Sequence, residues 1–403
     1  MLTKEQRIRD YEYLWDVLHR CFPLKGAMER LGFDWDKIEK ECRPGVENAA
    51  DDLEFCIALD RVFEEFKHFA HTNLLNARMY ENYKTFFRSI AEPGSEYSAP
   101  ESVEPWIRCF GQPRSDAFYS MFDSTEGAGR EFYWKGEAPE KPVTAAHEAP
   151  KKGEGPFAAA FMLPGETAYF KVPGIPMERI PIDRPVFFDF YAKYGSCENM
   201  VIDFRGNGGG ATDYWKKLIV EPVIDEELVA EGKMGFDLNE LNRDFLEASF
   251  SEDGEFASGV RRPAEELLEL PAFHKEDLAQ VTEYYHWFET YRPDREHHFT
   301  VRNRIWLLTD KRVYSSAEGF AKFCKENGFA TLVGGTTGGD GGSMTPSHAI
   351  LPESGLVIRY KCVENFNKDG SSNAECCTVP DIECDPALAL AECLAVIAAE
   401  RSA

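Results

Sequence analysis

The 403-residue sequence predicts an α/β protein with a helical region at its N-terminus. Two stretches, residues 199–210 and 304–342, predict the α/β part, because in each an apolar run typical of a buried strand leads into a loop or turn. A third stretch, residues 3 to about 90, carries apolar residues at helical spacing and predicts the N-terminal helices.

The stretch 304–342 predicts a strand, a turn, a helix, a second strand and a glycine-rich loop, in that order. The first strand covers residues 305–308, and the second covers 330–333. Between them, apolar residues recur at helical spacing until a glycine ends the pattern. Ser315 and Ser316 stand where the first strand gives way to the helix.

A serine at such a junction presents its hydroxyl beside the first, unpaired N–H groups of the helix, at the positive end of the dipole. That position suits a nucleophile. The competing interpretation is that Ser315 or Ser316 caps the helix, because a Ser-x-x-Glu pattern ending at Glu318 is typical of a capping box. On the local sequence alone, capping is favoured.

The stretch 199–210 predicts a buried strand followed by a loop in which glycine fills four of the five positions 206–210. Glycine is needed where backbone N–H groups turn inward and approach another group closely. The Gly-Lys-Ser/Thr ending and the G-x-G-x-x-G spacing of nucleotide sites are absent. An oxyanion hole is therefore the favoured use of the loop, and a tight loop that binds nothing is the alternative.

The composition and the positions of Pro- and Gly-rich stretches predict that the chain has three parts. Residues 1–90 form an N-terminal helical domain, and residues 91–155, rich in Pro, Gly and charge, form a linker or small β region with one or two strands over 116–134. Residues 156–403 form the α/β core, with an insertion or lid at about 211–300. The strongest helix of the first part is expected to bury Leu53, Cys56, Ile57, Leu59, Val62, Phe63 and Phe66.

The charge balance excludes some partners. With 70 acidic and 45 basic residues the net charge is −25, which argues against nucleic acid or an anionic membrane as the main partner. No apolar run reaches the roughly 18 residues of a membrane span. The N-terminus lacks an apolar signal core, so we expect a cytoplasmic protein, with prior removal of a signal peptide left open.

Cysteine usage indicates a reducing compartment. The 11 cysteines are odd in number, and none forms a C-x-x-C pair. Cys376, Cys377 and Cys384 lie close together but lack metal-ligand spacing and a neighbouring histidine. The sequence therefore implies no metal and no organic cofactor.

Three motifs occur in order: DFRGNGGG at 203–210, YSSAE with its helix and LVGGTTGG at 314–339, and VPDIE at 379–383. Together they resemble the C-terminal-processing (tail-specific) serine protease family, and the N-terminal helices that lead to a His-Thr pair at 71–72 resemble those of some of its members. The similarity is greatest to members without a PDZ domain, the tricorn-core and retinoid-binding-protein-like group. It implies a ClpP/crotonase-like core, in which helices flank a twisted sheet.

The resemblance also implies a Ser/His/Glu arrangement. The family nucleophile, three positions before a glutamate, corresponds to Ser315. The histidine base corresponds to His71, and the glutamate near the closing motif corresponds to Glu375. This set suits the chemistry, because a serine needs a base and a carboxylate fixes the tautomer of that base. His68, one helical turn away, is the competitor for His71.

The oxyanion is expected to lie against the N–H of Ser316 and a glycine N–H from Gly208 or Gly209.

Three positions depart from the family pattern. Asp340 stands where the lysine-dyad branch has its lysine, and an aspartate cannot act as an amine base. Ala70 replaces a serine that often precedes the histidine, and Cys377 replaces a glycine of the closing motif.

We therefore expect a serine peptidase that cleaves peptides or protein C-terminal tails, with a peptide or protein as its partner. The departures are the basis of an alternative, a catalytically decayed peptidase scaffold that binds a peptide or an apolar ligand. A third possibility, a structural interaction protein, is supported only by the acidic surface. The sequence does not indicate an oligomeric state.

Overall fold

The computed structural model of the protein describes residues 1–67, 69–91, 100–122, 159–163, 167–301, 304–342 and 344–402. The α-helices of these residues are α1 Lys4–Cys21, α2 Lys25–Arg30, α3 Trp35–Asn48, α4 Asp52–Glu65, α5 Ala77–Ala91, α6 Pro100–Ile107, α7 Pro113–Tyr119, α8 Ile180–Tyr194, α9 Thr212–Trp215, α10 Arg243–Ser249, α11 Ser316–Asn327, α12 Asn373–Cys376 and α13 Ala389–Ser402. A π-helical turn, Lys216–Val220, continues α9.

The strands are β1 Asn73–Leu74, β2 Ala159–Leu163, β3 Thr167–Lys171, β4 Asn199–Asp203, β5 Leu228–Phe236, β6 Gly259–Pro263, β7 Glu283–Tyr291, β8 Arg304–Thr309, β9 Thr331–Gly334, β10 Ser347–Ile350, β11 Val357–Tyr360, β12 Glu364–Phe366 and β13 Ile382–Glu383. Short 3₁₀ segments lie at Phe69–His71, Ser120–Phe122, Met177–Arg179, Ala264–Glu269 and Lys275–Ala279.

These elements form two compact units. Unit 1 contains the described residues within Met1–Glu140, Lys233–Trp287 and Met344–Glu364, and unit 2 those within Lys141–Gly232, Phe288–Ser343 and Asn365–Ala403. The three-part division that composition suggests stays a prediction.

Unit 1 holds the N-terminal helices and a small antiparallel sheet of order β1-β11-β10. Helix α1 begins with a capping box, in which the Gln6 N–H donates to the Thr3 side chain and the Thr3 N–H donates to the Gln6 side chain. Helix α4 buries a stripe at i, i+3 and i+4 spacing, which confirms the expected helical pattern. The stripe consists of Phe55, Cys56, Leu59, Val62 and Phe63, continued by Phe66.

Two residues expected in that stripe are only half-buried. Leu53 and Ile57 lie beside the buried spacing, whereas Phe55, which we did not expect, is fully covered.

The small sheet of unit 1 carries a buried histidine. His348 lies opposite Arg359 in the register of β10 and β11, and its ring packs edge-on against Tyr83 at 5.4 Å and Phe110 at 5.2 Å. Neither ring nitrogen has a hydrogen-bond partner among the described residues. Burial, together with the charge of Arg359, lowers the pKa of His348 far below its ordinary value.

Unit 2 is built on a six-stranded sheet of order β13-β9-β8-β4-β3-β2. Neighbouring strands from β13 to β3 pair in parallel, and β2 pairs with β3 in antiparallel orientation. Every residue of β4 is buried, as expected for a central strand that is covered on both faces. Helices and sheet thus form the α/β core that the sequence predicts.

The C-terminal helix α13 contributes to the core of this sheet. Its buried residues Ala389, Cys393 and Ile397 belong to one apolar cluster with side chains from β3, β4, β8 and β9. The strand residues in the cluster are Tyr169, Val201, Trp306, Leu308 and Val333.

A further sheet, of order β12-β5-β7-β6, involves the region predicted as an insertion. Strands β6 and β7 pair in antiparallel orientation from Gly259 opposite Trp287 to Pro263 opposite Glu283.

The strands expected over 116–134 are not observed where the structure describes that range. Residues 116–119 complete α7, and 120–122 form a 3₁₀ turn. A proline in the first turn, Pro113, favours a helix start at this point. Residues 123–134 lie outside the described part of the chain.

None of the helices in the described ranges combines the length and the apolar character that a membrane crossing needs.

Candidate active site

The candidate residues of unit 2 follow three neighbouring parallel strands. Strands β4, β8 and β9 are adjacent in the sheet, with β8 in the centre. The glycine loop follows β4, the turn with Ser315 follows β8, and the loop with Asp340 follows β9. Because the carboxyl ends of parallel strands meet at one edge of a sheet, these three loops gather at the edge where α/β proteins bind ligands.

The base of the glycine loop is held by a buried ion pair. Two nitrogens of the Arg205 guanidinium donate to the two carboxylate oxygens of Asp203, at 2.9 and 2.7 Å, and the Tyr169 hydroxyl donates at 2.6 Å. Burial alone would raise the pKa of Asp203. The hydrogen bonds from Arg205 and Tyr169 outweigh it, and the pKa is lowered. The carboxylate thus stays charged and fixes the end of β4.

Asn207 organises the loop itself. Its fully buried side chain donates from Nδ2 to the Val172 carbonyl at 3.0 Å and accepts the Gly209 N–H at Oδ1, also at 3.0 Å. The Gly209 N–H is therefore occupied. The Gly208 N–H makes no hydrogen bond with any described residue.

The turn before Ser315 is tied to the same loop. The Asp310 carboxylate accepts the Arg312 N–H at 2.9 Å and the Gly206 N–H at 3.0 Å. One step before the serine, the Tyr314 N–H donates to the Asn207 carbonyl at 3.2 Å. The glycine loop and the serine turn are thus one hydrogen-bonded assembly.

Ser315 has a strained backbone. It precedes α11 with φ 58° and ψ −128°, in the left-handed half of the map that side chains other than glycine rarely occupy. Its N–H donates to the Gly339 carbonyl at 3.2 Å, and its own carbonyl accepts the Gly319 N–H at 2.9 Å. Its half-buried hydroxyl makes no hydrogen bond with any described residue.

The capping-box interpretation is wrong for this helix. The Ser315 side chain makes no capping hydrogen bond. The partner carboxylate of Glu318 does not turn back to the backbone of Ser315, because it is buried and accepts from Asn373 Nδ2 at 2.9 Å and Thr378 Oγ1 at 2.6 Å. Burial raises the pKa of Glu318, against the opposing effect of these donors.

The Glu318 contacts hold the turn that carries Glu375. Asn373 begins α12, and Glu375 lies half-buried two residues later. After this short helix, Cys377 adopts φ 58°. The residue that replaces the family glycine thus keeps a conformation that glycine favours, which supports the match of the motif at this point.

Asp340, at the position of the dyad lysine, is also in the left-handed region, with φ 64°. Its buried carboxylate accepts the Tyr314 hydroxyl at 2.9 Å.

His71 belongs to unit 1, in the 3₁₀ segment Phe69–His71. Ala70 and His71 both have positive φ, 51° and 57°. The His71 carbonyl accepts from Arg359 Nε at 3.0 Å. Burial lowers the pKa of His71 well below its ordinary value, and the charges of Arg359 and Lys361 lower it further. His68, the competitor, lies outside the described residues.

The structure brings some of the expected residues together within unit 2. A Cβ atom placed on Gly209 would lie 2.9 Å from Ser315 Cβ and 3.1 Å from the Ser316 nitrogen, so the glycine loop directly contacts the serine turn. A Cβ on Gly339 would lie 2.7 Å from the Asn373 carbonyl, which brings the loop after β9 against α12.

Sequence reasoning missed two residues that build this arrangement. Asn207 and Asp310 are tied to the loop by contacts with residues elsewhere in the chain. The local sequence contained only two weak signs of their roles: Asn207 lies inside a run of glycines, and Asp310 directly follows a strand.

Solved structures share this fold. Mature CPAF in complex with lactacystin has a TM-score of 0.56 at 11% identity, with 98% of this chain and 97% of that chain covered. A protein of Parabacteroides merdae ATCC 43184 has a TM-score of 0.53 at 16% identity, with 94% and 90% covered. At these identities the likeness shows the fold alone. No curated protein matches the chain.

The fold and the family comparison together define a serine-type peptidase. The model of peptidase family S41 matches residues 167–384, which is more than half of the 403 residues. The chain therefore belongs to peptidase family S41. The family, the α/β fold and the serine-peptidase class predicted from the motifs are confirmed.

The close approach of Gly209 to the serine turn yields a first prediction. Gly209→Ala should lower the rate of peptide cleavage by on the order of 100-fold or more, because the methyl group meets Tyr314 O at 2.7 Å and Ser315 Cβ at 2.9 Å, on a backbone with φ +99°. The measurement is kcat/KM on an unstructured peptide, with circular dichroism to confirm the fold.

Gly328→Ala is the matched control. Gly328 ends α11 with φ +66°, but its added methyl group would meet nothing within 4 Å. It carries the backbone strain without the clash, so its kcat/KM should stay within about twofold of wild type. Equal activities of the two variants would contradict the proposed role of close packing at Gly209.

Proposed function

We propose that the peptidase cleaves peptides or protein C-terminal tails through Ser315 as nucleophile, His71 as general base and Glu375 as the carboxylate that orients it. One observation carries the proposal. Six non-glycine residues of the described ranges have positive φ, and five of them occupy motif positions or motif departures: Ala70, His71, Ser315, Asp340 and Cys377. Such strain costs about 1–3 kcal/mol per residue and concentrates at functional sites.

The assignment of Ser315 as nucleophile rests on its hydroxyl being available to react. The Ser315 hydroxyl has no hydrogen-bond partner among the described residues, and it lies beside the first turn of α11. A serine hydroxyl is weakly nucleophilic at neutral pH and needs a base to take its proton.

The base assignment rests on protonation state. The lowered pKa of His71 keeps its imidazole neutral near pH 7, and only the neutral ring can accept a proton. The pairing of His71, in unit 1, with Ser315, in unit 2, rests on the family resemblance. So does the role of Glu375, which would fix the tautomer of the imidazole and stabilise the imidazolium.

The hydrogen bonds of the glycine loop reduce the three candidate oxyanion donors to two. The Gly209 N–H already donates to Asn207, whereas those of Gly208 and Ser316 have no partner among the described residues. We therefore assign the two donors to Gly208 and Ser316, and we give Gly209 the role of letting the loop approach the serine. Losing one such donor costs about 3–4 kcal/mol in the transition state.

Catalysis then runs in two halves. Ser315 Oγ attacks the scissile carbonyl carbon as its proton passes to His71, and the C–N bond breaks as His71 gives that proton to the leaving amine. Water then attacks the Ser315 ester. His71 takes a proton from the water and returns it to Ser315 Oγ, which releases the new carboxylate.

Covalent labelling tests the three catalytic roles. A fluorophosphonate should form a single adduct on Ser315 of the wild-type protein, located by intact mass and peptide mapping. Ser315→Ala should abolish the adduct, while His71→Ala and Glu375→Gln should slow its formation, by on the order of 10⁶-fold for His71→Ala and 10⁴-fold for Glu375→Gln.

Two substitutions serve as controls for these variants. His348→Phe removes another histidine of low pKa in unit 1, and Glu383→Gln neutralises an exposed glutamate of the closing motif. Both should label at close to the wild-type rate. Absence of an adduct on the folded wild-type protein would contradict the proposal and favour the decayed scaffold that binds a ligand.

The labelling rate should fall at acid pH, and this fall, the acid limb of the pH profile, should lie at lower pH than an ordinary histidine would give. Since neutral His71 is the active form and its pKa is lowered, activity persists below the ordinary histidine value and is lost only as pH falls through the lowered pKa. Lys361→Met removes a positive charge that lowers this pKa, so the limb should move to higher pH.

Lys361→Arg keeps the charge and should leave the acid limb in place. The measurement is the pseudo-first-order labelling rate from pH 4 to 9, restricted to conditions under which circular dichroism shows a folded protein. An acid limb that is identical in both variants would exclude His71 as the titrating base.

The tail preference has a direct test. Peptides of neutral or basic sequence are prepared in pairs, with a free C-terminal carboxylate or with an amide. Recognition of the carboxylate through a charge-assisted hydrogen bond should raise kcat/KM for the free acid by about tenfold or more. Equal values within each pair would restrict the proposal to peptides in general.

A further inference from the structure

The hydroxyl of Ser316 is held by the helix that follows the glycine loop. Thr212 Oγ1 lies 3.1 Å from Ser316 Oγ, and Trp215 Nε1 donates to the same oxygen at 3.2 Å. Both partners lie on α9, and all three residues belong to unit 2. The catalytic scheme above uses only the backbone N–H of Ser316, so these side-chain contacts have no role in it.

Helix α9 is anchored at its start. A Cβ on Gly210 would lie 2.3 Å from the Ile175 carbonyl, and the Ala211 N–H donates to that carbonyl at 2.7 Å. Thr212 follows directly. The last residues of the glycine loop and the first residues of α9 are therefore fixed to the chain after β3.

The indole of Trp215 is fixed as well. Trp215 is 3% exposed, and its ring stacks on Tyr291 with centroids 5.7 Å apart. It also contacts Phe320 and Phe323, both on α11, at 5.3 and 5.5 Å. Because these rings surround the indole, its N–H has little freedom to turn away from Ser316.

We propose that Thr212 and Trp215 are positioning residues of the oxyanion hole, which act through the hydroxyl of Ser316. The inference rests on the proposed function, in which the Ser316 N–H is one donor. Ser316 is the first residue of α11, where helices fray, and it follows the strained Ser315. Two hydrogen bonds to its side chain fix the orientation of the residue, and its N–H with it.

The same helix joins the two proposed donors. Gly208 lies in the loop that leads into α9, and Ser316 is bonded to α9. One short segment thus sets the position of both N–H groups, so that they are preorganised before the negative charge develops.

A merely structural role for Trp215 makes a different prediction from a positioning role. If the indole only fills space, its loss acts independently of Ser316. If it acts through the Ser316 hydroxyl, the effects of the two substitutions overlap, and a double-mutant cycle measures that overlap.

The experiment measures fluorophosphonate–rhodamine labelling of Ser315 in the full-length protein, with the maximal rate constant kinact and the half-saturating probe concentration KI determined separately. Thr212→Val and Trp215→Phe should each lower kinact by about five- to tenfold, the effect of one hydrogen bond, with KI within about twofold. Ser316→Ala removes both hydrogen bonds and should lower kinact by at least as much as either of them. Ser316→Ala/Trp215→Phe should be no slower than the slower single variant. The pH profile should stay unchanged.

Trp306→Phe is the matched control. Trp306 is fully buried in the core of unit 2, and its Nε1 donates to Asn199 at 3.0 Å. Trp306→Phe therefore also removes an indole N–H and its hydrogen bond, but at another place in unit 2. Its kinact should stay within about twofold of wild type. If Trp215→Phe does not fold, Thr212→Val replaces it in the cycle with Ser316→Ala.

Two results would overturn the inference: a Trp215→Phe variant no slower than Trp306→Phe, or a double variant whose loss equals the product of the single losses. Failure of the proposed function is distinguishable from both, because it appears in the wild-type protein as an absence of labelling at Ser315.

Discussion

The backbone conformation of Ser315 is the constraint on which the rest of the site depends. A non-glycine residue at φ 58° persists only where its surroundings determine it fully. Here Gly339 accepts its N–H, Gly319 donates to its carbonyl, and Tyr314, directly before it, donates to Asn207. Each partner lies on a different segment of unit 2, so the sheet edge as a whole holds the serine between strand and helix. Its hydroxyl makes no hydrogen bond within the part of the chain that the structure describes.

That arrangement explains why glycine is needed in the neighbouring loop. Gly209 lies so close to the serine turn that a side chain would collide with it, while Asn207 takes the Gly209 N–H for itself. The loop can therefore approach Ser315, the proposed nucleophile, and still leave the Gly208 N–H without a hydrogen-bond partner among the described residues. Gly208 and Gly209 are the same residue type, so the different roles of their N–H groups follow from their positions in the loop.

Much of this fold could be predicted from periodicity. The strand at 304–309, the helix at 316–327 and the buried strand at 199–203 follow directly from apolar patterns. The helix over 113–119 was missed where strands were expected, because the evidence for it is a single proline.

For the site, the motifs predicted which types of residue it contains. The capping-box error at Ser315 arose because Ser-x-x-Glu is a local pattern, whereas Glu318 is bound by residues 55 and 60 positions away. Backbone strain and long-range hydrogen bonds leave no trace in a local pattern.

The most direct test of this site is a crystal structure of the protein after reaction with a fluorophosphonate. We expect phosphorus bonded to Ser315 Oγ and one phosphoryl oxygen within about 3 Å of the backbone nitrogens of both Gly208 and Ser316. An adduct on another residue, or an oxygen that contacts neither nitrogen, would contradict the assignment of the strained serine as the nucleophile beside these two donors.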